Sequence, residues 1–188
     1  MKRTGIVIGA LIAGAVTMPA RAQMVTPELR PFVGAYMPTG GQRELFKSGA
    51  LIGMQGALEL TPTLHLLGTF GWVPGHAKFV GVDENVSIFA YDVGTELGFM
   101  HALGWGWDLK PFVGLGAGAR TYSYKASNFS SQTCAAGYGA LGTEFQFSKV
   151  ALRLEGRENV YCFKSPLGGV SRTRNDVGLA FGLAYHFR

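Results

Sequence analysis

Residues 176–187 alternate without a slip, with Val177, Leu179, Phe181, Leu183, Tyr185 and Phe187 on one side and Asp176, Gly178, Ala180, Gly182, Ala184 and His186 on the other. A period of two held that long is a β-strand with one apolar face and one small or polar face. The same pattern recurs along the chain and predicts eight strands, at residues 29–37, 49–60, 63–73, 86–100, 108–122, 133–147, 149–162 and 174–187. The connections alternate in character. Thr61-Pro62, the segment 102–107 and Ser148-Lys149 read as short turns, whereas 38–48, 74–85, 123–132 and 163–173 read as longer loops rich in Gly, Ser, Lys and Pro. An even strand count with short turns at one end and long loops at the other predicts an all-β, eight-stranded antiparallel up-and-down barrel.

The apolar face carries Ile52, Met54, Leu58, Leu60, Leu64, Leu66, Phe70, Phe89, Tyr91, Val93, Leu97, Phe99, Val113, Leu115, Leu141, Phe145, Phe147, Val150, Leu152 and Leu154, besides the last strand's set. The opposite face carries Arg30, Gln55, Glu59, His65, Asp92, Glu96, Lys110, Arg120, Glu144, Gln146, Arg153, Glu155, Arg157, Asp176 and His186. Its bases and acids nearly balance, as a confined interior requires, because buried charges must be paired.

Alternation alone leaves two barrels open. A soluble, lipocalin-like barrel would turn the apolar face inward; a transmembrane barrel turns it towards lipid. Glycines crowd the polar face between its charges (Gly94, Gly98, Gly114, Gly116, Gly118, Gly178, Gly182), which suits a narrow lumen with strongly curved walls. Aromatic residues stand near the ends of the apolar zone: Trp72 and Tyr91 towards the long loops, Trp105, Trp107, Phe147 and Phe187 towards the short turns. Such rings prefer the membrane–water interface. Both features favour the transmembrane barrel.

Composition points the same way. Charged residues are only 15% of the 188 and glycine numbers 28, a low charge for a soluble surface. The first 22 residues read as a cleavable export signal: Lys2 and Arg3, an apolar run from Gly5 to Met18, then Ala20-Arg21-Ala22 before Gln23. The run is too short for a membrane-anchoring helix. The expected organisation is thus a signal peptide at 1–22 and a barrel domain at 23–188, exported through the periplasm to the cell outer membrane of a Gram-negative bacterium. The 17 basic residues less three in the signal leave 14 against 12 acids, a net charge of +2, too little for a nucleic-acid partner.

The eight strands, the strand Lys110-Pro-Phe-Val-Gly-Leu-Gly-Ala-Gly118 and the closing Gly182-Leu-Ala-Tyr-His-Phe187 resemble the small outer-membrane β-barrel proteins that include the OmpA transmembrane domain and opacity-type proteins. The resemblance covers the whole of 23–188 and implies architecture more than activity. It implies outer-membrane lipids as surroundings. It also implies barrel-insertion machinery as a partner through the terminal aromatic Phe187, here followed by Arg188 where the family ends on the aromatic. The resemblance to the barrel part alone leads to no expectation of a peptidoglycan-tethering role.

The polar face holds the candidate chemistry, a lumen charge network of Arg30, Glu59, Asp92, Glu96, Lys110, Arg120, Glu144, Arg153, Glu155, Arg157 and Asp176. An eight-stranded barrel is only wide enough inside for side chains, so the network reads as a salt-bridge plug. The expected role is therefore structural or surface interaction through the loops, with a narrow porin-like channel as the alternative and an outer-membrane lipid-modifying enzyme as the third reading. The enzyme reading needs a base beside a nucleophile. Of four histidines only His76 falls in an expected external loop, and no His-x-Ser pattern surrounds it. Nothing resembles a catalytic site, a cofactor site or a metal-ligand spacing. The loops carry Arg43, Lys47, Lys78, Lys125, Lys164 and Arg172 against Glu44, Asp83 and Glu84, a mildly basic rim that suits phosphates of lipopolysaccharide and reads equally as ordinary solvated loop. Finally, a two-residue turn at Ser148-Lys149 brings Cys134 and Cys162 almost opposite each other in an oxidising compartment. A disulfide is expected there, with a bulge to bring the two onto one face.

Overall fold

The computed structural model describes residues 26–79, 82–104, 106–125, 130–164 and 171–187. The export signal at 1–22 and Trp105 lie outside them. The strands are β1 (Thr26–Pro38), β2 (Gly49–Thr61), β3 (Leu64–Phe79), β4 (Val82–Gly98), β5 (His101–Gly104), β6 (Trp107–Tyr124), β7 (Gln132–Phe147), β8 (Val150–Phe163) and β9 (Arg172–His186). Apart from β4 and β5, each pairs antiparallel with its chain neighbour; β4 pairs with β6 and β1 with β9, so the sheet closes on itself. Short β5 continues β4 beyond an interruption at Phe99-Met100, and both pair with β6. The barrel is therefore eight-stranded.

Closure is sheared. From Glu28, the register runs through Ala57, Leu67, Gly94, Gly116, Tyr138, Asn159 and Asp176 and meets β1 again at Pro38, ten residues on (38 − 28). A shear of ten in eight strands tilts them by about 40° and leaves an interior filled by side chains.

Exposure decides which face is inside. Leu115, Leu141 and Val93 are 69%, 68% and 63% exposed, while Arg30, Glu96 and Glu144 are 1%, 1% and 0% exposed. Water would reverse that order; lipid explains it, because only the outer wall meets hydrocarbon. The lipocalin-like inversion is excluded, and the fold is that of a transmembrane barrel.

Lumen glycines are set by contact. A Cβ on Gly118 would stand 1.9 Å from the Tyr91 carbonyl oxygen, and one on Gly34 1.9 Å from that of Leu179. Elsewhere an aromatic ring occupies the space: Phe32 lies over Gly53, Phe112 over Gly142, and Tyr138 over Gly94 and Gly116. Such ring-on-glycine seats let curved strands approach and still fill the interior.

Four boundaries differ from the sequence expectation. β1 begins three residues early, which brings Glu28 inside. The segment 74–85 is not a long loop: β3 and β4 continue as a paired hairpin from Pro74↔Ser87 to Phe79↔Val82. Its Pro and Gly read as loop signals, but Pro74 faces outward on the wall, where a tilted hairpin rising above the membrane tolerates it. The ladder at 99–104 extends to Gly104, which with Gly106 has positive φ (83° and 78°) for the reversal. The connection after β1 folds inward, with a 3₁₀ turn at Gly40–Gln42 and Phe46 bridged to Ala77.

Candidate functional site in the lumen

Along the eight long strands of the wall, alternate side chains project into the lumen. The charges there pair in tiers. Near the short turns, Arg30 donates from Nε to Glu28 (2.9 Å) and from Nη1 to Glu96 (3.3 Å). His186 lies between Glu28 (3.0 Å) and Glu144 (3.4 Å), and Lys110 Nζ meets His65 Nε2 at 2.6 Å. In the middle, Arg153 reaches Glu96, Glu144 (3.3 Å) and Glu155 (2.9 Å) from β8. Arg157 bridges Glu155 (2.8 Å) and Asp92 (3.1 Å). Higher up, Arg120 holds Asp92 (2.8 Å) and the Asn159 carbonyl (2.5 Å), and the Asn159 amide donates to Asp176 at 2.6 Å. Two guanidinium groups also lie over rings, Arg153 on Phe112 (3.6 Å) and Arg157 on Tyr138 (4.1 Å).

Of the sequence-derived network, Arg30, Asp92, Glu96, Lys110, Arg120, Glu144, Arg153, Glu155 and Asp176 are buried in the lumen, and Arg157 nearly so. Glu59 is half-buried at the lower end of β2, opposite His65 in register. Glu28, Gln55 and Asn159 complete the network: Gln55 donates to Glu155 at 3.1 Å. Strand phase could have supplied Asn159, two places from Arg157; Glu28 was lost to the late strand start.

An aromatic cap lies above the charges. Phe46, from the connection after β1, packs against Tyr122 (5.3 Å between ring centroids) and Phe163 (5.7 Å), with Tyr36, Tyr161, Val73, Val86 and Ile88 in the same cluster. The tyrosines share the phase of Arg30, Arg120 and Arg157 and were legible in principle. Phe46 carried no signal, since nothing periodic places a loop residue inside. A cavity of about 60 Å³ runs among the charges up to Tyr36 and Val73 below the cap, lined among others by Arg153, Asp92, Arg120 and Asp176.

Two expectations change. Cys134 and Cys162 are free thiols, Cys134 buried in the lumen and Cys162 exposed on the outer wall. The register runs without a bulge from Phe147↔Val150 up to Ala136↔Tyr161, just below the cysteines, and the alternation of exposure beyond it keeps the two on opposite faces. His76 stands on β3 opposite Asn85, not in a loop, and faces outward. Trp72, Trp107 and Phe187 all face outward, Trp107 packed against Phe147 at 3.7 Å. Among the described residues no group of three His, Cys, Asp or Glu is arranged to hold a metal ion.

No protein-family model matches the chain, and no curated protein matches it. Solved structures do. Neisserial surface protein A is similar at TM-score 0.65 and 11% identity, over 85% of this chain and 96% of that one. OprG, an outer membrane protein of Pseudomonas aeruginosa, is similar at TM-score 0.60 and 15% identity, over 87% and 96%. Ail, the attachment invasion locus protein of Yersinia pestis, solved with the heparin analogue sucrose octasulfate, is similar at TM-score 0.54 and 11% identity, over 87% and 99%. At these identities the likeness is one of fold: the chain has the eight-stranded barrel of small bacterial outer-membrane proteins.

Proposed function

We propose that this chain is an integral protein of the bacterial outer membrane, exported by a signal at 1–22, whose lumen is closed to solutes and whose work is done at the external rim. The observation that carries the reading is the lumen itself. Ion pairs run from Glu28 to Asp92 without a break, Arg120 and Asn159 extend them to Asp176, and Phe46 closes the mouth above. Such a column gives ions no continuous water path, so a structural or surface-interaction role fits better than a porin-like one.

The rim supports a polyanionic partner. Arg43, Lys78, Lys125, Lys164 and Arg172 are all exposed at the loop end. Clustered bases there suit phosphate or sulfate groups, as on lipopolysaccharide, and Ail, of the same fold, was solved with a sulfated sugar. The last strand β9 with Phe187 just after it is the segment we assign to the insertion machinery.

Two measurements test this. In planar bilayers the refolded chain is expected to show no stable conductance steps; regular steps would favour the narrow channel. Sucrose octasulfate is expected to bind the wild type, and at least tenfold more weakly a chain carrying Arg43→Glu, Lys78→Glu and Arg172→Glu. Equal binding would remove the rim from the proposal. A mass change in lipid A on expression would point to the enzyme reading.

A further inference from the structure

We infer that the outer mouth of the barrel is a binding site for a small organic ammonium ion with an apolar or aromatic body, in which Asp176 is the counter-ion and Phe46 is the chain's own occupant.

Asp176 is the first observation. It is 2% exposed. Glu28, Asp92, Glu96, Glu144 and Glu155 each close an ion pair with arginine, whereas Asp176 is met by the neutral Asn159 amide. Arg120 acts on it through space, but directs its guanidinium nitrogens to Asp92 and Asn159. The buried side chains include six carboxylates (those five and Asp176) against the five bases Arg30, Lys110, Arg120, Arg153 and Arg157. His186, between Glu28 and Glu144, answers the acids at the opposite end. The upper carboxylate is the one left short of a cation, and it faces the 60 Å³ cavity.

The second observation is the wall around it. Asp176 pairs with Pro38 and Asn159, and the next inward residues on those strands are Tyr36, opposite Gly178 and one rung below, and Tyr161, opposite Arg174 and one rung above. Two tyrosines therefore bracket the carboxylate, at the diagonal spacing long side chains span. Tyr122 lies 6.2 Å from Tyr161 and 4.8 Å from Phe163, ring to ring. The hydroxyls of Tyr36, Tyr122 and Tyr161 are buried without a well-formed hydrogen bond, although Tyr161 interacts with Tyr36, Tyr122 and Asp176, and Tyr36 also with Gln42. Tyr36 and Asp176 line the cavity together, and Tyr36 belongs to the cluster that holds Tyr122 and Tyr161; a carboxylate beside an aromatic ring and a phenolic oxygen is the chemistry that holds an ammonium group.

The third is Phe46, which packs into the aromatic cluster that borders this cavity through Tyr36, from a connection whose one other apolar side chain is Leu45. Its backbone is anchored independently of its ring: Lys47 N–H donates to the His76 carbonyl (3.0 Å) and Lys78 N–H to that of Leu45 (2.7 Å). Removing the ring therefore vacates room for a hydrocarbon body without releasing the connection, and the cavity below takes the ammonium.

The test uses the full mature chain refolded in zwitterionic micelles, titrated with benzylammonium and with benzyl alcohol by calorimetry. Phe46→Ala is expected to bind benzylammonium at least tenfold more tightly than wild type, and at least tenfold more tightly than it binds the alcohol. Adding Asp176→Asn should abolish that preference, which also corrects for partition into micelles. Equal binding of the two probes to a heat-modifiable Phe46→Ala barrel, or a preference that survives Asp176→Asn, overturns the site. Should Phe46→Ala not fold, methylammonium, small enough for the existing cavity, is titrated into wild type and Asp176→Asn. Shifts of tyrosine ring protons in wild type alone support the site, and their absence there overturns it.

Discussion

Arg153 shows how much one lumen side chain carries. It reaches three carboxylates, Glu96, Glu144 and Glu155, and lies over Phe112. Arg153→Ala strands those acids in a space they cannot leave, and breaking a buried ion pair costs about 3–5 kcal/mol. Urea unfolding in lipid vesicles should show a loss of that order, and planar bilayers should show conductance steps absent in wild type. A variant as stable and as silent as wild type would mean the column does not depend on this residue. The cysteines give a second test at this scale. Cys162 is exposed and Cys134 buried, so a small lipid-soluble maleimide should label one thiol per folded chain without prior reduction. No labelling before reduction would restore the disulfide.

At the scale of strands and turns, the alternating pattern specified nearly everything, because its period equals that of the pleat. Leu179 is a clean probe: it faces lipid, half exposed, near the middle of β9. Leu179→Arg should cost about 2–4 kcal/mol near the bilayer midplane, read as a shift in the urea midpoint; an unshifted midpoint would contradict the face assignment. The β7–β8 turn carries Ser148 at φ 56°, where a residue without Cβ is preferred. Ser148→Gly should stabilise by about 1 kcal/mol in the same assay. Where the pattern misled, the cause was local chemistry in conflict with pairing. Pro74 and Gly75 signal a loop, yet the β3–β4 hairpin continues past them because both strands are long enough to pair above the membrane. Cys134 and Cys162 look opposite by counting, but counting gives level along the strands; parity gives the face, and it separates them. Glu28 was lost for the reason that a strand's first residues show too few repeats to display a period. Phe46 was beyond any periodic argument, since a loop side chain is placed by the cavity it fills.

For the whole molecule, the decisive arrangement is charge held in two environments. The lumen pairs sit at direct contact distances and are almost wholly buried, whereas the rim bases Arg43, Lys78, Lys125, Lys164 and Arg172 are exposed. Mobile ions screen exposed charges within about 10 Å at 0.1 M and about 3 Å at 1 M salt; on the proposed reading of a closed lumen they do not reach the pairs inside. Raising salt from 0.1 M to 1 M should therefore leave the urea midpoint and the heat-modifiable band on gels almost unchanged, while sucrose octasulfate binding falls by at least tenfold. The two readouts separate the two parts of the molecule. If both fell together, salt would be reaching the lumen pairs, and a barrel open to ions would have to replace the closed one. If neither fell, the rim would not be acting through its charges, and the partner would have to be sought in the shape of the connections instead.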